Sequence, residues 1–401
     1  MTPPLHVVVL MATGRLGGAE RSMVSLVSSS TPALRFTLLL PEEGELGTAA
    51  TAAGADVRVV PWPGRVMTLG ERSGLPHPAL LVRAAPAFWS AASRVAAQVH
   101  ALRPDVFVTN GIKPHVMGAL ALWTFPHVPL VWYLRDSVEG RRLSRVIFRR
   151  VSGRCDGAIA ISKYIARDAT TYLPPAVRPE VIYNIVLGAL VEDEGDDEPI
   201  RKPERELWFA TIGALTPLKG HDVFLKAAAS VSRERPEARF LIVGSNQYAS
   251  EGSMDYPARL RALATGLDLD PVVRFLGQRR DVRRLLGQID VVVQSNTAPE
   301  AFGRSVAEAM SAGVPVIASR GWSFPELIDE GRTGWLVAPG DVQALAGRML
   351  SAAIDPAARR DIGERARTFI TSITSPSSCA ATFEAAMTRA AATRSHVSTS
   401  S

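Results

Sequence analysis

PEAFGRSVAEAMSAGVPVIAS, from Pro299 to Ser319, contains a loop carboxylate, a turn, a helix and an apolar strand in direct succession. With about 3.6 residues per turn, a helix that begins near Gly303 has Glu308 in its second turn, while Glu300 lies on the loop before it. The first-turn amides between the two acids form a positive pole that suits a phosphate. The spacing therefore favours a nucleotide-sugar site, although two solvated acids on an amphipathic helix fit it equally well.

Short β-rich runs alternate with helical patterns on both sides of this stretch, which is typical of parallel sheets with crossover helices. Two series of such runs predict an α/β protein of two Rossmann-like domains whose parallel sheets face a central cleft. The first series is HVVVLM, FTLLL, VRVV, VFVTN, PLVWYL, GAIAIS and EVIYN, and the second is LWFATIG, ARFLIVG, VVRFLG, DVVVQS, VPVIAS and TGWLVAP.

The acidic, proline-containing segment EDEGDDEPIRKPERE separates the two series. Like charges and prolines disfavour a packed core, so residues 191–206 are predicted to be an interdomain linker between domains 1–190 and 207–376. The Ser/Thr-rich residues 393–401 are predicted to be a disordered tail.

Composition indicates an intracellular protein rather than a secreted or membrane-spanning one. At 401 residues, with 47% hydrophobic content and a mean hydropathy of +0.10, the chain suits two domains and has no apolar run near the ~20 residues of a membrane span. Two cysteines are too few for a disulfide framework, and no basic leader with a cleavage site follows Met1, so no signal peptide is expected. We therefore expect a cytoplasmic location.

The net charge of +6 is concentrated in the N-terminal half, where residues 1–190 carry 20 basic and 12 acidic side chains. Much of the excess lies in RRLSRVIFRRVSGR, the Arg141–Arg154 segment. As an amphipathic helix, this segment is predicted to contact an anionic membrane or an acidic acceptor, placing the protein peripherally at the inner face of the cell membrane. A solvated helix on a domain edge is the equal alternative. No nucleic-acid motif accompanies the charge, so nucleic acid is not an expected partner.

Two glycine-containing turns follow predicted strands. GALTPLKG, from Gly213 to Gly220, places Lys219 at a helix start, where its ammonium can act on an anion together with the helix dipole. Gly17 and Gly18 follow HVVVLM and precede another helix, so backbone amides there can approach a phosphate or sugar. A surface lysine and a plain tight turn are the respective alternatives.

Taken together and in order, these motifs resemble the family-four retaining glycosyltransferases of GT-B fold. The resemblance is dense from Leu207 to Asp341 and thinner in the first half. It rests on GGAE, GALTPLKG, FLIVG, FLGQRRDVRRLL, the E-x7-E segment with GVPVIAS, and PELIDEGRTGWLVAPGD.

The resemblance implies roles for individual residues on the donor side. Glu308 would hold the ribose hydroxyls, Glu300 would lie beside the transferred sugar, and Lys219 would bind the donor diphosphate. The sugar and phosphate pocket would be lined by Phe302, Gly303 and Ser305, and the loop that binds the base would contain Gly277, Gln278 and Arg279. The loop that closes on the donor from the other domain would contain Gly17 and Gly18. Gly213 is the first glycine of the motif that contains Lys219.

The resemblance also implies the reaction. A nucleotide-diphosphate sugar such as a UDP- or GDP-hexose would be the donor substrate, with no separate cofactor and no metal, and front-face attack would need no protein nucleophile. The last helix, residues 377–392, would cross back to the first domain. The metal-binding pattern Asp268-Leu269-Asp270 is interpreted as a turn before Pro271.

One position departs from the family pattern. Ala214 stands where most relatives have an arginine, which removes one of two expected diphosphate cations. We hypothesise that Arg304, at the helix mouth, supplies the missing charge as a catalytic residue.

The acceptor side is defined by fewer signals. His115 follows a predicted strand end, where it is a candidate for contact with a sugar phosphate or for acid/base chemistry, with a helix-surface histidine as the alternative. Arg135 and Asp136 occupy the place of a His-Asp pair in many relatives, and Asn184 ends EVIYN, where Ile185 replaces an expected glycine. Arg135, Asp136 and Asn184 are the acceptor-site candidates.

The sequence thus predicts a retaining, metal-independent hexosyltransferase that acts on a carbohydrate, lipid-linked or natural-product acceptor. A nucleotide-sugar epimerase of the same fold is the rival enzyme. A catalytically silent nucleotide-sugar-binding protein is the rival from another class, and Ala214 and Ile185 favour it.

Overall fold

The computed structural model of the protein describes residues 3–67, 78–123, 128–186, 197–246 and 255–397. They fall into two compact units, the first comprising Met1–Leu190 and Thr374–Ser401 and the second Val191–Ile373. Each unit contains a parallel sheet with helices, as the alternating pattern predicted. The α/β class with two Rossmann-like domains is confirmed.

The described part of the first unit contains a seven-stranded parallel sheet in the order β3-β2-β1-β4-β5-β6-β7. Its central strands are mostly apolar because both faces are covered, and Val7 to Leu10 of β1 have no exposed surface. The last strand pairs only with β6 and is shorter than the predicted EVIYN. The strands are β1 (Leu5–Leu10), β2 (Leu34–Leu40), β3 (Asp56–Val59), β4 (Val106–Asn110), β5 (Leu130–Leu134), β6 (Gly157–Ala160) and β7 (Glu180–Val181).

The helices of this unit follow the strands in alternation. They are α1 (Gly18–Ser29), α2 (Glu45–Ala52), α3 (Gly64–Met67), α4 (Pro78–Leu102), α5 (Ile112–Ala121), α6 (Arg142–Val151) with the 3₁₀ turn Ser152–Arg154, and α7 (Lys163–Ala169). The described helices of the unit end with α15 (Pro376–Val397), which packs against α1, β1 and β4. Phe383 of α15 is fully buried beside Phe36.

The predicted disordered tail needs a correction. The helix α15 continues through Val397, so residues 393–397 are helical. The alanines at 390–392 and the arginine at 394 favour helix and extend it beyond the Ser/Thr-rich signal. Residues 398–401 lie outside the described part of the chain.

The second unit, where described, contains a six-stranded parallel sheet in the order β10-β9-β8-β11-β12-β13. Its strands are β8 (Leu207–Ile212), β9 (Ala238–Val243), β10 (Val273–Gly277), β11 (Val291–Gln294), β12 (Val316–Ser319) and β13 (Trp335–Val337). Its helices are α8 (His221–Glu234), α9 (Tyr256–Gly266), α10 (Val282–Leu286), α11 (Arg304–Ser311), α12 (Phe324–Leu327), α13 (Val342–Ile354) and α14 (Pro356–Ile373), with a 3₁₀ turn at Pro217–Lys219.

The acidic segment predicted as a linker lies partly outside the described residues, at 191–196. Its described part is bound to the second unit. The Lys202 ammonium is paired with Asp290, and the Asp197 carboxylate accepts a hydrogen bond from the Arg280 amide at 2.6 Å. An ion pair and a backbone hydrogen bond therefore attach this part of the segment to the second unit.

Among the described helices, none combines the length and the apolar character that crossing a bilayer requires.

Candidate functional site

Helix α11 begins at Arg304, so the helix start predicted near Gly303 is confirmed. Gly303 caps the helix with φ 86°, in the left-handed region, and a Cβ added there would lie 2.7 Å from the Phe324 ring. Only glycine fits this turn, and the first turn of α11, which includes the half-buried Ser305, begins directly after it. Phe302 needs a correction: it is 2% exposed, so its side chain packs inside and cannot line an open pocket.

Glu300 lies on the loop before α11 and is surrounded by hydrogen-bond donors. Its carboxylate accepts bonds from the Lys219 ammonium, from Asn296 Nδ2 at 3.0 Å and from the Gly303 amide. Burial alone would raise the pKa of Glu300, but the Lys219 charge and these hydrogen bonds outweigh it and lower the pKa. Glu300 is therefore held as a carboxylate.

Lys219 ends the 3₁₀ turn Pro217–Lys219, directly before α8. The following Gly220 has φ 66°, and a Cβ there would lie 1.9 Å from the carbonyl oxygen of Ser295. Because the Ser295 hydroxyl also donates to the Gly220 carbonyl at 2.7 Å, this turn is fixed against the end of β11. Gly213, at the end of β8, has φ 152° and leaves the Lys219 stem room beside it. The turn thus brings Lys219 to Glu300.

Arg304 and Glu308 form a second ion pair, with Nε 2.7 Å from Oε1. The two side chains are 20% and 28% exposed, so a ligand can reach them. The cation hypothesised for the diphosphate and the acid assigned to the ribose therefore bind each other in this state. Both candidate cations and both candidate acids are paired around the start of α11.

Asn296 is a residue of this cluster that the sequence analysis missed. It follows β11, is 1% exposed, donates to Glu300, and its Oδ1 has no hydrogen-bond partner in the described structure. The backbone carbonyl of Asn296 accepts a hydrogen bond from the Ser319 hydroxyl at the end of β12. Its place beyond the carboxyl end of a parallel strand was the available signal.

The predicted base loop lies at the carboxyl end of β10. Gly277 has φ 68° and is exposed, as is Gln278, whose Oε1 accepts from Ser245 at 3.1 Å. The Arg279 guanidinium is held by Asp281 at 2.6 and 2.8 Å, and this bond lowers the pKa of Asp281 to about 2. Arg279 therefore shapes the loop, while Gly277 and Gln278 present its surface.

In the first unit, Gly17 caps α1 and Gly18 is its first residue. Gly17 has φ −90° and an extended backbone, and Gly18 is exposed, so the helix mouth carries no bulky side chain. The preceding loop is fixed by Glu42, which accepts hydrogen bonds from Thr13 and from the Gly14 amide. The arrangement suits close approach of a polar ligand to backbone amides.

The structure brings together two of the three acceptor candidates. Arg135 follows β5, and its Nη1 donates to Asn184 Oδ1 at 3.1 Å. Both residues are 6% exposed, whereas the next residue, Asp136, is exposed. Ile185, which replaces an expected glycine, is buried at 3% exposure.

The prediction for His115 is wrong. His115 lies within α5 and is 2% exposed, stacked on Trp132 with ring centroids 4.7 Å apart. Its Nδ1 is 2.8 Å from the Thr109 hydroxyl, and burial lowers the pKa of the ring to about 3. A neutral core histidine cannot contact an acceptor, so it is neither a site residue nor a surface one.

Asp268 and Asp270 lie in the turn between α9 and β10, as interpreted from Pro271. The Asp270 carboxylate accepts from Thr265 at 3.0 Å. Across the described ranges, no cluster of three or more His, Cys, Asp or Glu side chains has the arrangement of a metal site.

Comparison with known families accounts for both units. The family described as "Glycosyl transferases group 1" matches residues 192–369, and "Glycosyltransferase Family 4" matches residues 44–186. The chain belongs to the family-four glycosyltransferases of GT-B fold. The family resemblance read from the motifs is confirmed.

Individual relatives match parts of the chain. The D-inositol 3-phosphate glycosyltransferase of Corynebacterium kroppenstedtii is 32% identical over 47% of this chain and 44% of its own length. The sulfoquinovosyl transferase SQD2 of Arabidopsis thaliana is 27% identical over 75% of this chain and 59% of its own. This glycosyltransferase therefore matches less than two thirds of the length of either relative.

A solved structure covers nearly the whole chain. Anabaena HepE, crystallised with UDP and glucose, superposes with a TM-score of 0.76 over 96% of this chain and 100% of its own, at 23% identity. This similarity supports the GT-B fold of this glycosyltransferase.

Proposed function

We propose that the protein is a retaining, metal-independent hexosyltransferase that uses a nucleotide-diphosphate sugar and a carbohydrate, lipid-linked or natural-product acceptor. The observation that carries this proposal is the double ion pair at the start of α11, Lys219 with Glu300 and Arg304 with Glu308. A nucleotide-sugar offers matching groups for all four: phosphates for the cations and hydroxyls for the acids.

In the proposed reaction, the bond between the anomeric carbon and the β-phosphate oxygen breaks as the acceptor oxygen attacks from the same face. The acceptor proton passes to the leaving phosphate, and the new glycosidic bond retains the anomeric configuration. Lys219 and the first-turn amides of α11 stabilise the negative charge that develops on the diphosphate. Glu300 orients the sugar, and Glu308 holds the ribose hydroxyls.

Donor binding is tested by thermal shift with UDP, GDP, ADP and their common hexose conjugates. At a fixed concentration a tighter ligand raises the melting temperature more, with the logarithm of its affinity, and Glu308→Ala should reduce the shift. Glu364→Ala, which removes an exposed acid elsewhere in the second unit, is the matched control. No shift with any member of the panel would overturn the proposal.

Turnover then separates the enzyme from its rivals. Appearance of a glycosylated acceptor supports transfer, epimerised donor without acceptor indicates an epimerase, and binding without either product indicates a silent binding protein. Arg304→Ala tests whether Arg304 replaces the arginine missing at Ala214. Turnover within a few-fold of the parent would refute that role.

We further propose that the enzyme is cytoplasmic and binds peripherally to the inner face of the membrane through the Arg141–Arg154 segment. In α6, Phe148 is 2% exposed and anchors the helix, while Val146 is 52% exposed among the exposed Arg142, Arg149 and Arg150. A cationic face with an exposed apolar residue suits an anionic lipid surface.

A further inference from the structure

The guanidinium of Arg135 is held at the carboxyl edge of the first sheet, one residue after β5. Its Nη1 donates to Asn184, and its carbon lies 4.6 Å from the centroid of the buried Tyr133 ring. The side chain is 6% exposed, directly beside the exposed Asp136. Open α/β sheets bind ligands at this edge.

No ion pair is formed by Arg135 among the described residues. The neighbouring Asp136 carboxylate acts on its charge only from beyond the 4.0 Å of an ion pair, and the Arg135 Nε and Nη2 atoms are buried with no hydrogen-bond partner in the described structure. Loss of a proton cannot relieve this, since a guanidinium stays protonated in proteins. The Tyr133 ring contacts the face of the guanidinium and the Asn184 amide is neutral, so neither replaces an anion.

The two unpartnered nitrogens are adjacent. Nε and Nη2 form one edge of the planar guanidinium, and their N–H groups run parallel, which matches the two oxygens of a phosphate or carboxylate. Asn184 occupies the opposite edge through Nη1 and fixes the orientation of the group.

We propose that Arg135 is the binding site for an anionic group, a phosphate or a carboxylate, on the acceptor. The assignment to the acceptor rests on the proposed transferase function. The site would select acceptors that carry this group near the hydroxyl to be glycosylated, and Asn184 would act as a positioning residue.

Anion binding is tested with the full chain carrying Lys219→Ala, so that the donor site contributes less to the measured phosphate binding. In thermal shift at constant ionic strength, inorganic phosphate should stabilise this parent. Adding Arg135→Gln should weaken the apparent phosphate affinity at least tenfold. Arg167→Gln, at an exposed arginine of α7, should leave it unchanged. Equal phosphate affinity with and without Arg135→Gln would overturn the proposal.

Arg135→Lys tests the site in case Arg135→Gln fails to fold. Arg135→Lys keeps the charge but loses the parallel N–H pair, so phosphate affinity should fall to an intermediate value. Affinity equal to the parent would contradict bidentate binding and overturn the site as described.

The source of the anion is then identified with glucose 6-phosphate, glucuronate and phosphatidylglycerol vesicles, each compared with glucose or phosphatidylcholine. Arg135-dependent binding of any one supports the site and names its ligand class, and dependence in none overturns it. Donor binding is read separately by thermal shift of the parent with the nucleotide and nucleotide-sugar panel. No shift with any member of that panel, with the Arg135 effect on phosphate binding intact, would refute the transferase and not the anion site.

Discussion

The two candidate sites differ in how the protein balances their positive charge. In the second unit, Lys219 and Arg304 are each paired with a carboxylate, and all four side chains are 17–28% exposed. In the first unit, Arg135 is 6% exposed and has a neutral amide as its hydrogen-bonded partner. A paired site can exchange partners with a ligand, whereas an unpaired one gains a partner that it lacks.

This difference has consequences for stability and for rate. Exchange at the paired site gives every group a new partner, since phosphates take the place of the carboxylates beside the cations and hydroxyls take the place of the cations beside the carboxylates. At Arg135 the buried charge is unfavourable until an anion arrives. Donor binding should therefore depend on competition within the cluster, and acceptor binding on a single cation.

The largest effect is expected from removing the cation of the paired site. Lys219→Ala should lower kcat by roughly 10²- to 10³-fold, which corresponds to ~3–4 kcal/mol for one charge-stabilising donor. Lys226→Ala, which breaks an exposed pair with Asp222 on α8, is the control in steady-state kinetics. If both variants have the same kcat, the paired cluster has a structural role only, and it does not differ from the Arg135 site by binding a ligand.

Much of this paired cluster could be predicted from sequence because its parts are close along the chain. Glu300, Gly303 and Glu308 lie within one turn and one short helix, so helical geometry alone places them. The strands were predictable for a similar reason, since buried parallel strands such as β1 are continuous apolar runs. The pairing of Arg304 with Glu308 follows from their i, i+4 spacing, but Arg304 was predicted to bind the donor diphosphate instead.

The first unit was harder because burial there is decided by distant residues. His115 is enclosed by Trp132 on β5 and Phe148 on α6, neither of which is close in sequence. Asn296 in the second unit is a different case, because its partner Glu300 is close in sequence and its place after β11 was a signal that could have identified it. Local patterns fix elements, whereas contacts between elements need the packed structure.

The next largest effect is expected at His115, where burial in the core of the first unit affects protonation. Its pKa is about 3 in the folded state and 6.5 in the unfolded chain, because burial disfavours the charged ring. Between these values the unfolded chain alone binds the proton, so stability is present above pH 6.5 and is lost as the pH falls. His115→Gln should remove about 2–3 kcal/mol of the stability loss between pH 6 and pH 4.

Urea unfolding at several pH values measures this slope, with exposed His100→Gln as the control. Turnover of His115→Gln should stay within a few-fold of the parent at pH 7. A parent-like pH slope combined with lost turnover would return His115 to the site and move chemistry into the first unit.

A smaller effect is expected at Asn296, which links the paired cluster to the end of β11. Asn296→Ala removes a hydrogen bond to the Glu300 carboxylate, so kcat should fall about tenfold, or ~1.4 kcal/mol. The pKa of Glu300 should rise, and the acidic limb of the pH-rate profile should move to higher pH. Thr297→Ala, at the next and exposed residue, is the control. An unmoved acidic limb would show that Asn296 does not act through Glu300.

The smallest effect is expected for the basic residues of α6 in the first unit, which are proposed to bind a membrane surface rather than a ligand. Arg150 is exposed on α6, so Arg150→Gln should weaken binding to phosphatidylglycerol vesicles by about 1 kcal/mol, roughly fivefold. The effect should shrink as salt is raised, since exposed charges are screened. Arg178→Gln, at an exposed arginine outside α6, should bind vesicles as the parent does. Equal weakening by both variants would mean that net charge, and not the α6 face, attracts the membrane.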